Sequence, residues 1–393
     1  MNSDQKQVIF VLHTISVGGA ERQLSSVANV MAEAGISVKM VLLDNAAVVF
    51  PLRDGVEAVC INSNVKNMPT ENVSPCTLFN SGRKATVTAF EKVKLQLIRD
   101  KQARAVEEEK LFFRLHYAQP LHEYLKSYPG ATIISCMTIP NIATMMATKD
   151  LPNRVVFSDR TDPQLEYPAD HPIVALKKKY YPRANAAVFQ TPDARDYYDW
   201  LPGLETHMIP NFIRSDLLPP PYDGERRHDI VSFSRLHPVK NIPMMIAAFK
   251  RLLSDYPDYT LHIYGEGEIK DELEQLIIDE GLYNAVKMVG FDTKIHLKVR
   301  DAAMFVSTSD REGISNSMLE AMAIGLPTIC TDCPAGGARL TIKNGENGLL
   351  IPVRDEDALY AAMRRVLEEP GLSEKLSKNA VKLREELTIE KVA

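Results

Sequence analysis

Short apolar runs that hand over through glycine to amphipathic helices recur in both halves of this chain, and that rhythm constrains the fold more than any other feature. Val8-Ile9-Phe10-Val11-Leu12 reads as a strand that breaks at Gly18-Gly19, after which Ala20, Leu24, Val27, Ala28, Met31 and Ala34 recur at helical spacing until Gly35. Val38-Lys39-Met40-Val41-Leu42-Leu43 is the next strand. Strand, glycine loop, helix, strand opens a doubly wound α/β domain, and runs at 132–135, 154–157 and 186–189 extend it as a parallel sheet. Pro219-Pro220-Pro221-Tyr222-Asp223-Gly224 fits neither a helix nor a central strand and predicts a linker over 206–228. It separates an N-terminal domain, 1–205, from a C-terminal one, 229–375, whose strands read at 230–233, 260–264, 286–289, 304–306 and 327–330. The segment 376–393 reads as the start of a final helix that is cut short. Two similar α/β domains predict a cleft between them, the usual place for a ligand.

Composition narrows the classes. With 45% hydrophobic and 25% charged residues the chain is an ordinary globular one, neither disordered nor fibrous. A net charge of -5 lacks the basic footprint of a nucleic-acid binder. Five cysteines (Cys60, Cys76, Cys136, Cys330, Cys333) form an odd set with a single CxxC, which predicts reduced thiols and a cytoplasmic setting. No run approaches the ~18 apolar residues of a membrane span. The first half does carry a basic, partly amphipathic segment at 83–126: Arg83, Lys84, Lys92, Lys94, Arg99, Lys101, Arg104, Lys110 and Arg114 alternate with Val93, Leu95, Leu97, Ile98, Leu111 and Phe112. Lys177-Lys178-Lys179 adds to it. A solvated helix face explains this pattern, and so does peripheral contact with an anionic membrane.

Four stretches bear chemistry. Gly18-Gly19-Ala20-Glu21 lies where a strand meets a helix, so backbone N–H groups there could approach an anion, although a tight connection alone also asks for glycine. Arg235 and Lys240 are two fixed cations on one strand-to-helix loop, suited to a diphosphate as fork and point charge. Gly265 and Phe291 follow successive strands at the sheet edge where a nucleotide would lie. In the stretch from Glu312 through Gly313, Ile314, Ser315 and Asn316 to Glu320, Ser315 is a natural N-cap. The helix start it opens offers N–H groups to phosphate, with a carboxylate on either side to grip sugar hydroxyls.

Those stretches resemble the retaining nucleotide-sugar glycosyltransferases of family GT4. Glu312 and Glu320 match the E-x7-E motif, Arg235 and Lys240 the R-x4-K pair, Gly18-Gly19-Ala20-Glu21 the N-terminal glycine loop, and Asn344-Gly345-Glu346-Asn347-Gly348-Leu349-Leu350 a late family turn. The resemblance implies the GT-B fold, two Rossmann-like domains facing each other across a cleft. It implies front-face transfer, with retention, of a hexose or N-acetylhexosamine. The donor would be a nucleotide-sugar, by family habit a UDP-sugar, and the acceptor a glycan or lipid-linked glycan of bacterial polysaccharide biosynthesis. Arg235 and Lys240 would hold the diphosphate, Glu320 the ribose and Glu312 the sugar. Gly313 to Asn316 would add backbone donors, and Gly19 would approach the phosphate. No metal or cofactor is implied, because the two cations neutralise the diphosphate; Asp355-Glu356-Asp357 reads as a helix cap.

The chain departs from the family after the strand at 154–157. Many relatives place a histidine there, whereas this chain has Ser158-Asp159-Arg160-Thr161-Asp162. Arginine stays protonated and cannot act as a base. Either Asp162 takes the proton as base, the leaving phosphate does, or acceptor binding differs; Arg160 and Asp162 either organise acceptor and reacting sugar or form a structural strand-end ion pair. His13, at the end of the first strand, either faces the cleft or is a satisfied core histidine, the second being the commoner case. A related epimerase or phosphorylase, and a non-catalytic scaffold or chaperone subunit, remain as rival readings.

Overall fold

A computed structural model describes residues 6–15, 18–44, 50–62, 76–78 and 86–392. Arg83 and Lys84, part of the basic segment, lie outside them. Contacts divide the chain into two units, one of Met1–Phe189 and Ala194–Ile209, the other of Gln190–Asp193 and Pro210–Val392.

The first unit is built on an eight-stranded sheet: β1 (Gln7–Leu12), β2 (Ser37–Leu42), β3 (Val56–Cys60), β4 (Cys76–Leu78), β5 (Thr132–Cys136), β6 (Val155–Asp159), β7 (Ala186–Phe189) and β8 (Glu205–Met208). Their spatial order is β4-β3-β2-β1-β5-β6-β7-β8, and every pairing is parallel. The sheet grows outward in both directions from β1, so the order reverses between β1 and β5, where a doubly wound fold keeps its ligand crevice. Ile9, Phe10 and Val11 are buried because helices cover both faces of a parallel sheet, which is why the strand reads as a continuous apolar run. Each fully buried Phe, Ile or Leu contributes about 1.5–3 kcal/mol over leaving it exposed.

The second unit repeats the plan with β9 (Arg227–Phe233), β10 (Thr260–Tyr264), β11 (Val286–Gly290), β12 (Ala302–Ser307), β13 (Thr328–Thr331) and β14 (Leu349–Ile351) in the order β11-β10-β9-β12-β13-β14. Its reversal lies between β9 and β12. The proline segment is strapped to this unit: Tyr222 N–H donates to Ile324 O at 3.2 Å, and the Arg384 guanidinium reaches Pro219 O at 2.7 Å. Both units match the expected Rossmann-like fold.

Three local expectations need correcting. Glu205–Met208, largely inside the stretch expected as linker, is the edge strand β8; its four residues are all exposed, so it carries no apolar run to read. Cys60 is disulfide-bonded while Cys136, Cys330 and Cys333 are free, because an odd count excludes a full set of bridges but not one bridge. His13 is no core residue: its side chain is 40% exposed and its Nε2 lies 2.7 Å from Asp44 Oδ2.

Candidate functional site

At the carboxyl edge of the second sheet, loops hold one another through backbone contacts. Gly265 adopts φ +138°, and a Cβ there would stand 1.9 Å from Ser234 O, so only glycine lets the loop after β10 pass the loop after β9. Leu236 N–H donates to Glu266 O at 2.9 Å and Gly265 N–H to Gly290 O at 2.9 Å. Phe291, just beyond β11, is 63% exposed at this edge.

The loop carrying Arg235 and Lys240 is latched to the loop after β12. Thr308 Oγ1 donates to Lys240 O at 2.8 Å and to Asn241 O at 3.0 Å, while Asn241 Nδ2 donates to Asp310 Oδ1 at 3.1 Å. Asn241 takes the left-handed conformation, φ +45°, and opens the helix Ile242–Asp255. The latch brings Lys240 Nζ onto the Glu312 carboxylate, joining the cation pair to the carboxylate pair. Arg235 is exposed. His237, which caps the turn between the cations, is pulled below the usual histidine range by burial and then by Arg235, with Arg311 and Lys240 acting the same way against Glu268. Burial disfavours a charge of either sign, so only the part of the shift due to Arg235, Arg311 and Lys240 points to a loop that suits an anion.

Ser315 caps the helix Asn316–Ala323 as expected, its Oγ accepting from Met318 N–H at 3.3 Å. Gly313 is buried against Gly337, where a Cβ would meet Gly313 O at 1.8 Å. Asn211 Nδ2 fixes the turn by donating to Ile314 O at 2.8 Å and Asn316 Oδ1 at 2.9 Å. One turn into the helix, Glu320 Oε2 lies 2.9 Å from His296 Nε2, and both side chains are 15% exposed. The sequence reading missed His296, a lone histidine in a short lysine-bearing helix with no spacing signal. Cys330 and Cys333 lie buried below, their thiols pushed up by burial, Cys333 to about 12, which makes them inert structural thiols.

Thus Arg235, Lys240, Gly265, Phe291, Glu312, Gly313, Ile314, Ser315, Asn316 and Glu320 share one sheet edge. Gly18, Gly19, Arg160 and Asp162 belong to the first unit. There Gly18 precedes the helix Gly19–Glu33, and Glu21 folds back over it: a Cβ on Gly18 would lie 2.0 Å from the Glu21 carboxylate. Arg160 follows β6 and is lowered by burial, with Cys136 and the Glu21 carboxylate opposing that shift. Asp162 is 4% exposed, and its Oδ1 accepts from Gln164 N–H at 2.9 Å and Leu165 N–H at 3.3 Å, closing a turn.

Beside them lies a buried cluster without a sequence signal. Lys177 Nζ stands 3.5 Å from Asp159 Oδ2 and 3.7 Å from Glu166 Oε2, over the rings of Tyr181, Tyr197 and Tyr198. Burial, then the Asp159 charge, pushes the Glu166 carboxyl up to about 7 against Lys177 and the 2.6 Å hydrogen bond from Thr138 Oγ1.

Among the described residues no group of three or more His, Cys, Asp or Glu is placed to hold a metal ion, and no helix is long and apolar enough to cross a membrane. Asp355 caps its helix by accepting from Ala358 N–H at 2.8 Å, while Glu356 and Asp357 pair with Arg251.

Residues 222–383 match the model of the family described as Glycosyl transferases group 1. Over 155 residues the chain is 36% identical to an N-acetylgalactosaminyltransferase of Campylobacter jejuni whose name gives a diphospho-undecaprenol-linked acceptor; the match covers 39% of this chain and 41% of that protein. The chain spans less than two thirds of the length of the first curated relatives it matches. In fold it is similar over 99% of its length to sucrose-phosphate synthase of Thermosynechococcus elongatus, with a TM-score of 0.72, 17% identity and 96% of that chain covered. It is similar over 98% to Anabaena HepE in complex with UDP, with a TM-score of 0.69, 17% identity and 97% of that chain covered. The second unit therefore matches the glycosyl transferases group 1 model over residues 222–383, in a chain with the two-sheet GT-B fold.

Proposed function

We propose that this protein is a retaining glycosyltransferase that moves a hexose or N-acetylhexosamine from a UDP-sugar to a glycan or lipid-linked glycan acceptor in bacterial polysaccharide assembly. The observation that carries the reading is the latch that sets Lys240 on Glu312 beside a capped helix N-terminus, with Glu320 held by His296 one turn further on. A diphosphate displacing Glu312 from Lys240 would lie between Arg235, Lys240 and the N–H groups of 313–316. Glu320 would take the ribose hydroxyls, and the released Glu312 carboxylate the hydroxyls of the sugar.

In the reaction the bond from the anomeric carbon to the β-phosphate oxygen breaks, and the departing UDP takes up the electron pair. Fixed cations stabilise most where charge develops. They need no divalent ion to do so, and transfer should persist in EDTA. The acceptor oxygen attacks from the side the leaving group vacates, and its proton passes to a phosphate oxygen of UDP. In this reading Asp162 shapes a turn in the unit that would bind the acceptor, one of its oxygens accepting from two backbone N–H groups.

Proton NMR of the product tests the stereochemistry. Starting from an α-linked donor, the first-formed product should show the small anomeric coupling of an α linkage, and UDP release should depend on acceptor. A β product would overturn retention. UDP released with free or epimerised sugar in the absence of acceptor would assign the chain to epimerases instead.

A further inference from the structure

We propose that the face of the first unit formed by the helices Ala89–Leu97 and Lys101–Phe113 docks on an anionic lipid surface, with Phe90, Val93 and Leu97 entering the bilayer interface and the groove beside them receiving lipid phosphates. The helix Ala89–Leu97 has no buried residue. Its large apolar side chains point outward: Phe90 is 77%, Val93 52% and Leu97 74% exposed. At spacings of three and four they form one stripe, the pattern of a helix that lies in an interface. The helix is nevertheless well built. Thr88 and Glu91 close a reciprocal capping box, and Arg114 Nη2 holds Glu91 at 2.9 Å.

Charge identifies the occupant. Phe90 and Lys94 line a cleft with Lys110 and Arg114, and those two cations continue into a groove with Lys149, Lys179 and Arg183, where Glu123 is the one carboxylate. In the cleft Lys94 and Lys110 are paired with Glu107 and Arg114 with Glu91, but in the groove Lys149, Lys179 and Arg183 have no ion-pair partner among the described residues. Lys179 is lowered by burial and then by Lys110, with Lys94 and Arg183 adding to the shift against Glu107, as expected where positive charges crowd together. Lys92, Arg99 and Lys101 flank the apolar stripe and are exposed. Protruding aromatic and aliphatic side chains beside unneutralised cations suit a lipid surface, where one partner supplies both hydrocarbon and phosphate. The inference does not rest on the glycosyltransferase reading, since none of these residues belongs to the donor site.

The test is co-sedimentation of the full chain with phosphatidylcholine vesicles, with and without phosphatidylglycerol, at low and high salt. Binding should require phosphatidylglycerol, weaken at least ~10-fold at high salt, and fall at least ~10-fold in each of two double variants, Phe90→Ser with Leu97→Ser and Lys179→Glu with Arg183→Glu. These side chains are exposed, so circular dichroism and the thermal midpoint should stay at wild-type values. Equal binding to neutral vesicles, no binding at low salt, or variants that bind like wild type would each overturn the proposal. So would a chain that self-associates through this stripe, seen as a dimer that Phe90→Ser with Leu97→Ser dissociates without changing vesicle binding.

Discussion

Glu312→Gln should tighten the binding of UDP while slowing sugar transfer. In the free protein Glu312 neutralises Lys240, with the two side chains 29% and 16% exposed. Two unit charges at about 4 Å attract by about 4 kcal/mol at an effective dielectric of about 20 and by about 1 kcal/mol in water. Partial exposure places this pair toward the lower figure, roughly 1–2 kcal/mol. An incoming diphosphate must draw Lys240 away from that carboxylate and also approach Glu312's own negative charge. The neutral isostere removes both obstacles, so the Kd for UDP should fall about 5- to 30-fold, the equivalent of 1–2 kcal/mol. The full donor also needs a carboxylate for its sugar hydroxyls, and kcat should drop about 10- to 100-fold, the scale of losing a hydrogen bond to a charged group. Titration calorimetry with UDP on wild type and variant gives the first quantity, and UDP release with acceptor the second. A Kd that is unchanged or higher in the variant would refute the idea that Glu312 holds Lys240 neutralised before the donor arrives.

Gly265→Ala places a methyl group against the Ser234 carbonyl at a positive φ; it should cost about 2–4 kcal/mol and lower the calorimetric transition of the second unit by several degrees, and an unchanged transition would contradict the packing described. His296→Ala should loosen Glu320 without touching the reacting atoms, raising the donor KM about 5- to 10-fold and leaving kcat within about 3-fold; the opposite split would place His296 in the chemistry. Glu166, raised to about 7 in the folded protein, binds a proton there between its ordinary value near 4.5 and about 7 that the unfolded chain does not bind. Its contribution to stability is therefore full below pH ~4.5 and lost as pH rises through ~7, so the midpoint of denaturant unfolding should decline from pH 5 to pH 8 with a slope that Glu166→Gln reduces. Asp162→Asn keeps an oxygen for the two turn N–H groups and should leave turnover within about 3-fold, whereas a loss of ~100-fold would make Asp162 the base.

Much of the fold was legible because the central strands of a parallel sheet are buried on both faces. β1 and β12 are continuous apolar runs, and their helices show the complementary periodicity. β8 was illegible for the opposite reason: Glu205, Thr206, His207 and Met208 pair by backbone alone at an exposed edge. In the site, what depends on local chemistry could be read, such as Ser315 as N-cap and Arg235 and Lys240 on one loop. What depends on tertiary register could not. Lys240 meets Glu312 across 72 positions and Glu320 meets His296 across 24, and neither pairing has a spacing rule. Lys177 shows the limit most plainly. It stands in a run of three lysines that reads as one solvated patch, but the helical turn of about 100° per residue sends Lys177 inward to Asp159 and leaves Lys178 and Lys179 outside.

The central claim, a UDP-sugar donor site built around Arg235, Lys240, Glu312 and Glu320, is tested most directly by a thermal-shift panel of UDP, GDP, ADP and their sugars with and without EDTA. A ligand at about 100 times its Kd stabilises the folded state by about 2.7 kcal/mol, enough to move the midpoint by several degrees. The account predicts a shift that is selective for UDP and UDP-sugars, insensitive to EDTA and absent in Arg235→Ala with Lys240→Ala. No shift with any nucleotide, in protein shown to be folded, would contradict it and favour a non-catalytic subunit.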